Sequence, residues 1–442
     1  MTSREGRGLR AGDVVEAVIE KGVYRGLGLA RHEGQVVFIP RALPGDRVRA
    51  RVQSTTSGYV KAEVEERLEP GPARRSSPCP FFPACGGCSY QELEYPAQLA
   101  LKEQILRESL SRAGVAWEGE IPMSGSPEQG WRTRASFHLA EGPEGWRLGL
   151  YAEGTHRIVD LPYCLQVSEA MNRTQRALRA ALAERAQWAR RVRGVDLAES
   201  GDGRRLVAAV ETAMAPAGAV SLSPLADAVP WLTGFGVVAG DNRQRRFHLL
   251  RGEPYVENEV GGRRLRSHIG SFFQGNRFLL GDLVAAVVDL TPRGGSVLDL
   301  YAGVGLFALA LAEGAEAVVG VELNPIAVED GRYNAERAGL AQVRFRRGDA
   351  LEGLASWRVN PDERIVLDPP RTGAGADLVR AIATRHPAAV IYVSCDPPTL
   401  GRDLKAFAGE GYVPDAVRAF DLFPDTFHME TVVRLVPVIP SP

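Results

Sequence analysis

Residues 296–312 read SVLDLYAGVGLFALALA. A short run of Val and Leu predicts a buried strand, Gly303 and Gly305 predict a tight turn, and the apolar run beyond predicts a helix. Glycines at such a turn let the backbone approach a ligand closely, before a helix whose amide end faces it. An acid, Glu322, ends the next predicted strand 17 residues past Gly305, where a ribose diol would need a carboxylate. Outward from this unit the pattern repeats. AVVGVEL, VRFRRGDA, RIVLDPP and AVIYVSCDP are further buried-strand candidates separated by helical segments, and two more strands around 416–422 and 431–438 lack a long helix between them. Seven strands with a hairpin-like last pair predict a doubly wound α/β sheet with an antiparallel edge.

The fifth strand runs into AAVIYVSCDPPTLGRDL (388–404). It ends in Cys395, then a Pro-Pro break, then a helical pattern with Leu400, Leu404 and Phe407 on one face. Open α/β sheets bind ligands at the carboxyl ends of their strands, so this thiol is placed for chemistry and near amide groups that favour the thiolate. A buried structural cysteine is the competing reading. HIGSFFQGNRFL (268–279) and FPDTFHMETVVRL (423–435) frame it, the latter with His428 and Glu430 opening the last strand.

At 442 residues, 45% hydrophobic and 24% charged, the chain has room for two or three cored domains of ordinary globular composition. A net charge of -1 excludes neither nucleic acid nor membrane. The first 75 residues are mildly basic, with 14 Lys+Arg against 10 Asp+Glu. No apolar run reaches the roughly 20 residues of a membrane span. The start, MTSREGRGLRAGD, has no apolar signal core, which predicts a cytoplasmic protein.

Residues 11–70 alternate apolar and polar residues with Gly or Pro every 8–12 positions, predicting a five-stranded OB-like β-barrel. Arg25, Arg41, Arg47, Arg49, Arg51 and Lys61 are its candidate phosphate contacts, and a solvated strand face is the alternative. A Pro/Gly-rich loop follows with Cys79, Cys85 and Cys88 at C-x5-C-x2-C, and Cys164 in VDLPYCLQV is the fourth candidate ligand. Zinc and a [4Fe–4S] cluster both fit four thiolates, and an odd total of five cysteines argues against a disulfide framework. Apolar spacing predicts an amphipathic helix over 94–114. In GWRTRASFHL, Arg132 and Arg134 fall on one side of a predicted strand, as candidate phosphate contacts.

The D-x-x-x-G-x-G form of 299–305 resembles S-adenosylmethionine-binding methyltransferases. Together YRGLGLAR, VFIPRALPGDRVRARV, the four cysteines, SFFQGN, DLYAGVGLF, DPPRTG, SCDPPTLGRDL and HMETV resemble, in order, the uridine carbon-5 RNA methyltransferases of the TrmA/RumA type, over nearly the whole chain. The resemblance implies a TRAM-like RNA-binding barrel over 1–68, a mixed α/β central domain over 69–265 and a Rossmann-like methyltransferase domain over 266–442. It implies S-adenosylmethionine as donor and a [4Fe–4S] cluster on Cys79, Cys85, Cys88 and Cys164. Cys395 is implied as nucleophile and Glu430 as base. Gln274, Asp299, Tyr301, Gly303, Gly305, Glu322, Asp349 and Asp368 are implied around the donor, and Arg132, Arg134 and Phe273 on RNA. Having both barrel and cluster resembles the 23S rRNA branch, with tRNA as the alternative; no obligate protein partner is evident. Ala302, Asp396 and Thr133 depart from the family's usual Cys, Asn and Asn. An exocyclic-amine methyltransferase using Asp368-Pro369-Pro370, and a non-catalytic RNA-binding factor, are the rival readings.

Overall fold

The computed structural model describes residues 8–438 apart from 116, 144, 241–245, 359 and 361. Its largest sheet has eight strands in the order Val343–Arg347, Ala317–Glu322, Ser296–Leu300, Arg364–Leu367, Ala389–Ser394, Glu430–Pro437, Tyr412–Phe420, Met123–Ser124. The central strands are buried on both faces, which is why they read as unbroken apolar runs. Strand Glu430–Pro437 runs antiparallel to both its neighbours. The strand order reverses at Ser296–Leu300, which opens a crevice beyond the carboxyl ends of the parallel strands. The seven expected strands are present, and Met123–Ser124 adds an eighth at the edge, parallel to Tyr412–Phe420.

Helix Tyr95–Arg112 packs on this sheet's own layer. Leu101, Ile105, Leu106 and Leu110 share one core with Leu400, Leu404 and Phe407 of helix Pro397–Gly409. Its Lys102 reaches through the interior to Asp421 at 2.6 Å, both side chains wholly buried. Residues from the first third of the chain thus complete the methyltransferase core.

The N-terminal sheet has six strands, Val14–Val18 to Val60–Glu69, closed around Val15, Ile19, Val37, Ile39, Val48, Ala50 and Val60. Lys21–Val23 is a strand beyond the five expected. A seven-stranded sheet between Arg134 and Gly252 forms the middle of the molecule. The hairpin Tyr255–Val260/Arg263–His268 runs across residue 265 and packs against the catalytic core through Val260 and Leu265.

Candidate active site

Strand register sets the two principal side chains. Ser394 pairs with Thr431 at the last rung of an antiparallel ladder, so Cys395 and Glu430 stand side by side just beyond it. Asp368 follows the neighbouring strand, Arg364–Leu367, and accepts a hydrogen bond from Gln274 Nε2 at 3.2 Å. Asp299, wholly buried in its strand, accepts from the Ala308 amide at 2.9 Å through one oxygen, and its other oxygen has no partner.

The glycine turn joins these groups to Glu322. Gly303 and Gly305 have φ of 54° and 93°, and Tyr301 shares that left-handed conformation at 64°. A Cβ on Gly305 would fall 2.6 Å from Phe345 Cζ, so only glycine fits beneath the turn. Glu322 accepts from Gly303 N at 3.0 Å and Asn324 N at 2.7 Å, which holds it at the crevice edge. Asp349 caps helix Ala350–Ser356 by accepting from Leu351 N at 2.9 Å. Ala302 is packed in the core, and Thr133 Oγ1 donates to Gly275 O at 3.2 Å beside Gln274.

Charge is poorly compensated at this mouth. Burial, then Asp368, then Glu322 push Asp299 well above the ordinary carboxyl range, opposed by the Ala308 amide. Asp368 is pushed up to about 7 by burial, and Glu430 well up by burial and by Asp368. Burial, Glu430 and Asp368 push Cys395 up to about 12, with Arg371 pulling it down and Asp396 adding a smaller push. These surroundings disfavour the thiolate that the helix end alone would favour. The amide end of helix Pro397–Gly409 that would favour it is taken by Asp396, which accepts from Thr399 N at 3.0 Å.

Glu430 is carried by the loop 421–429, which almost every part of the chain grips. Lys102 holds Asp421, and Asn276 Nδ2 donates to Leu422 O at 3.0 Å. Trp131 meets Phe423 edge-on, and Arg371 Nη2 lies 3.1 Å from His428 Nε2. Burial, then Arg371, depresses His428 to about 3, so its ring is neutral. Asp425 gathers side-chain amides of Gln91 (2.8 Å), Gln98 (3.0 Å) and Gln166 (3.1 Å) with Arg75 (3.2 Å). Its carbonyl accepts from Ser89 N and Tyr90 N, both at 2.8 Å.

That knot ties the loop to the cysteines. Gln91 Nε2 also lies 3.5 Å from Cys88 Sγ, and Gln166 sits two residues past Cys164. Cys79, Cys85, Cys88 and Cys164 line one cavity of about 290 Å³, and all five cysteines are free thiols. Burial pushes Cys85 up to about 11 and raises Cys88 and Cys164. Among the described residues, no three His, Cys, Asp or Glu side chains form a group suited to one metal ion.

Several candidate RNA contacts have other work. Arg134 is tied to backbone, donating to Ile269, Ser271 and His268 carbonyls and to Ser267 Oγ, so it braces the turn before Gln274. Arg132 lies over the Trp131 ring at 4.5 Å and lines the cysteine cavity. Phe273 is core, 5% exposed, whereas Phe272 presents its ring to solvent at 70%. On the barrel, Arg47 and Arg49 bridge to Glu16, Arg47 also to Glu69, Arg49 to Glu66, and Arg51 to Glu65. Sequence reasoning missed Tyr24 and Asp425, whose partners lie hundreds of positions away.

A doubly wound sheet with this glycine turn and these strand-end acids defines an S-adenosylmethionine-dependent methyltransferase. A model of the tRNA (uracil-5-)-methyltransferase family matches residues 94–437, and a TRAM-domain model matches residues 9–64. The chain belongs to that family and is an RNA (uracil-5-)-methyltransferase bearing an N-terminal TRAM domain. It is 32% identical over 452 residues to an RNA methyltransferase of Halalkalibacterium halodurans, described as uncharacterized, covering 96% of this chain and 97% of that one. One of Streptomyces coelicolor, also so described, is 34% identical over 449 residues, covering 96% and 93%. The crystal structure of a Pyrococcus abyssi tRNA (uracil-54, C5)-methyltransferase with S-adenosyl-L-homocysteine superposes with a TM-score of 0.75 at 24% identity, covering 96% of this chain and all of that one. At that identity the likeness speaks for the fold. No helix among the described residues is long and apolar enough to cross a membrane.

Proposed function

We propose that this enzyme methylates carbon 5 of one uridine in 23S rRNA, using Cys395 as nucleophile and Glu430 as base. The observation that carries the reading is the Ser394–Thr431 register, which sets a thiol beside a buried carboxyl at the mouth of the donor crevice. Uracil carbon 5 is too weak a nucleophile to take a methyl group unaided. Addition of the Cys395 sulfur to carbon 6, its thiol proton passing to solvent, makes the ring an enolate whose carbon 5 can attack. S-adenosylmethionine supplies the electrophilic methyl group. Gln274, bonded to Asp368, would donate toward the charge on the ring oxygen. Glu430 then takes the carbon 5 proton, and the carbon–sulfur bond breaks to release the product.

The electrostatics suggest an order of events. Cys395, Asp368 and Glu430 are too close and too buried to be ionised together. Glu430, held protonated by burial and by Asp368, has to release that proton to solvent before it can take the one on carbon 5. Asp299, Tyr301, Gly303, Gly305, Glu322, Asp349 and Asp368 would bind and orient the donor, with Glu322 toward its ribose.

We assign the cysteine cavity to a [4Fe–4S] cluster, because Cys79, Cys85, Cys88 and Cys164 line one space and four thiolates suit such a group. Such a cluster would supply a four-thiolate crosslink; Cys79, Cys85, Cys88 and Cys164 would hold it. Iron with acid-labile sulfide after anaerobic purification supports this assignment, and one equivalent of zinc without iron defeats it.

RNA carrying 5-fluorouridine at the target site should form a covalent complex that survives denaturing electrophoresis, and Cys395→Ala should form none. Methylation by Cys395→Ala would remove the nucleophile. Cytoplasmic 23S rRNA from a strain lacking the gene should have lost one 5-methyluridine. Loss from tRNA instead would favour the second reading, which the Pyrococcus abyssi neighbour motivates.

A further inference from the structure

The barrel reaches the nucleophile. Tyr24, between strands Lys21–Val23 and Leu27–His32, donates its hydroxyl to Asp396 Oδ2 at 2.9 Å, across 372 positions of sequence. The other Asp396 oxygen accepts from Thr399 N, so both are engaged. The Tyr24 ring meets Phe427 edge-on at 5.4 Å, in the loop that carries Glu430. This contact belongs to a docked edge. Lys21 pairs with Glu108 at 2.7 Å, and a Cβ on Gly22 would strike Leu101 Cδ1 at 2.7 Å.

We propose that Tyr24 is a positioning residue of the active site, holding the Asp396 carboxylate in its cap so that the docked barrel sets the reactivity of Cys395. Asp396 directly follows the nucleophile, and a carboxylate free to swing toward sulfur would oppose the thiolate. Glu430, Asp368 and Arg371 act on the same sulfur from the other elements around it. None of them touches Tyr24 by a hydrogen bond. The Tyr24 hydroxyl answers a charge that the more usual asparagine at 396 would not bring. The barrel then has a role besides holding RNA: a substrate that displaces it would also disarm the thiol.

The proposal rests on Cys395 as nucleophile, and its test does not use methylation. Full-length protein, Tyr24→Phe, Asp396→Asn and the double variant are treated anaerobically with iodoacetamide across pH 7–10. Alkylation of the Cys395 peptide is followed by mass spectrometry. Tyr24→Phe, which keeps the ring contact, should slow alkylation at pH 8 about threefold to tenfold and move the rising limb of the pH–rate profile up. Asp396→Asn should move it down, and Tyr24→Phe should add nothing in that background. Equal slowing in both backgrounds, or none in either, overturns the proposal. Turnover by Cys395→Ala would instead defeat the nucleophile assignment, leaving the alkylation result interpretable.

Discussion

The outer face of the barrel and the mouth of the catalytic sheet both collect charge, in opposite ways. On the barrel, Arg47, Arg49 and Arg51 stand in water with Glu16, Glu65, Glu66 and Glu69 at cross-strand distance. Each charge has a partner and solvent, so the lattice favours register and solubility and adds little stability. At the sheet mouth, Asp299 and Glu430 are buried and Asp368 half-buried, each with few partners, and Glu430 Oε1 has none among the described residues. Burial there raises proton affinity and keeps groups poised to exchange protons. The lesson is that ionisable side chains do chemistry where the fold withholds compensation.

The contrast can be broken from its strong end first. Glu430→Gln should lower kcat by about 10²–10⁴-fold, with RNA–protein adduct accumulating on denaturing gels. Full turnover without adduct would place the base elsewhere. Lys102→Met leaves Asp421 buried without its cation and should cost about 3–5 kcal/mol in urea unfolding. A loss below about 1 kcal/mol would mean that water reaches the pair.

A third test addresses the knot. Asp425→Ala should speed hydrogen exchange of residues 421–430 at least tenfold, and removing the proposed cluster should speed the same peptide. Unchanged exchange in both would sever the link between cysteines and base. A fourth reads pH. Because Cys395 is pushed up to about 12, the thiolate is scarce at pH 7 and kcat/KM should climb about tenfold per unit from pH 7 toward 9. Arg371→Ala removes the cation favouring the thiolate, so its profile should lie at higher pH. A flat profile would mean that bound RNA resets the thiol. Arg49→Ala, at the weak end, should leave the melting temperature unchanged within error; a clear drop would show that the barrel lattice is structural.

The catalytic sheet was legible because its signals are local. Buried parallel strands announce themselves as apolar runs, and the turn at Gly303 and Gly305 has one available chemistry. Cys395 and Glu430 could be singled out, since each opens or closes a strand within its own motif. What the sequence did not reveal depended on burial and distance. Arg132 and Arg134 share one side of a strand, but sequence does not say that the side faces protein. Phe272 and Phe273 exchange inside for outside at a bend that alternation cannot anticipate. Tyr24 carries no mark of its partner at Asp396, and Asp425 reads as an ordinary turn residue until three glutamines arrive from elsewhere.

Helix Tyr95–Arg112 and strand Met123–Ser124 bear on how the enzyme can be divided. A fragment beginning at residue 266 would lack the cover over Leu400, Leu404 and Phe407 and would unpair Ala419 and Phe420 at the sheet edge, inviting aggregation. The smallest self-sufficient transferase would instead splice residues 92–126 onto 253–438. In that sense the seven-stranded middle sheet is a guest, inserted into a host whose two halves the gene keeps apart.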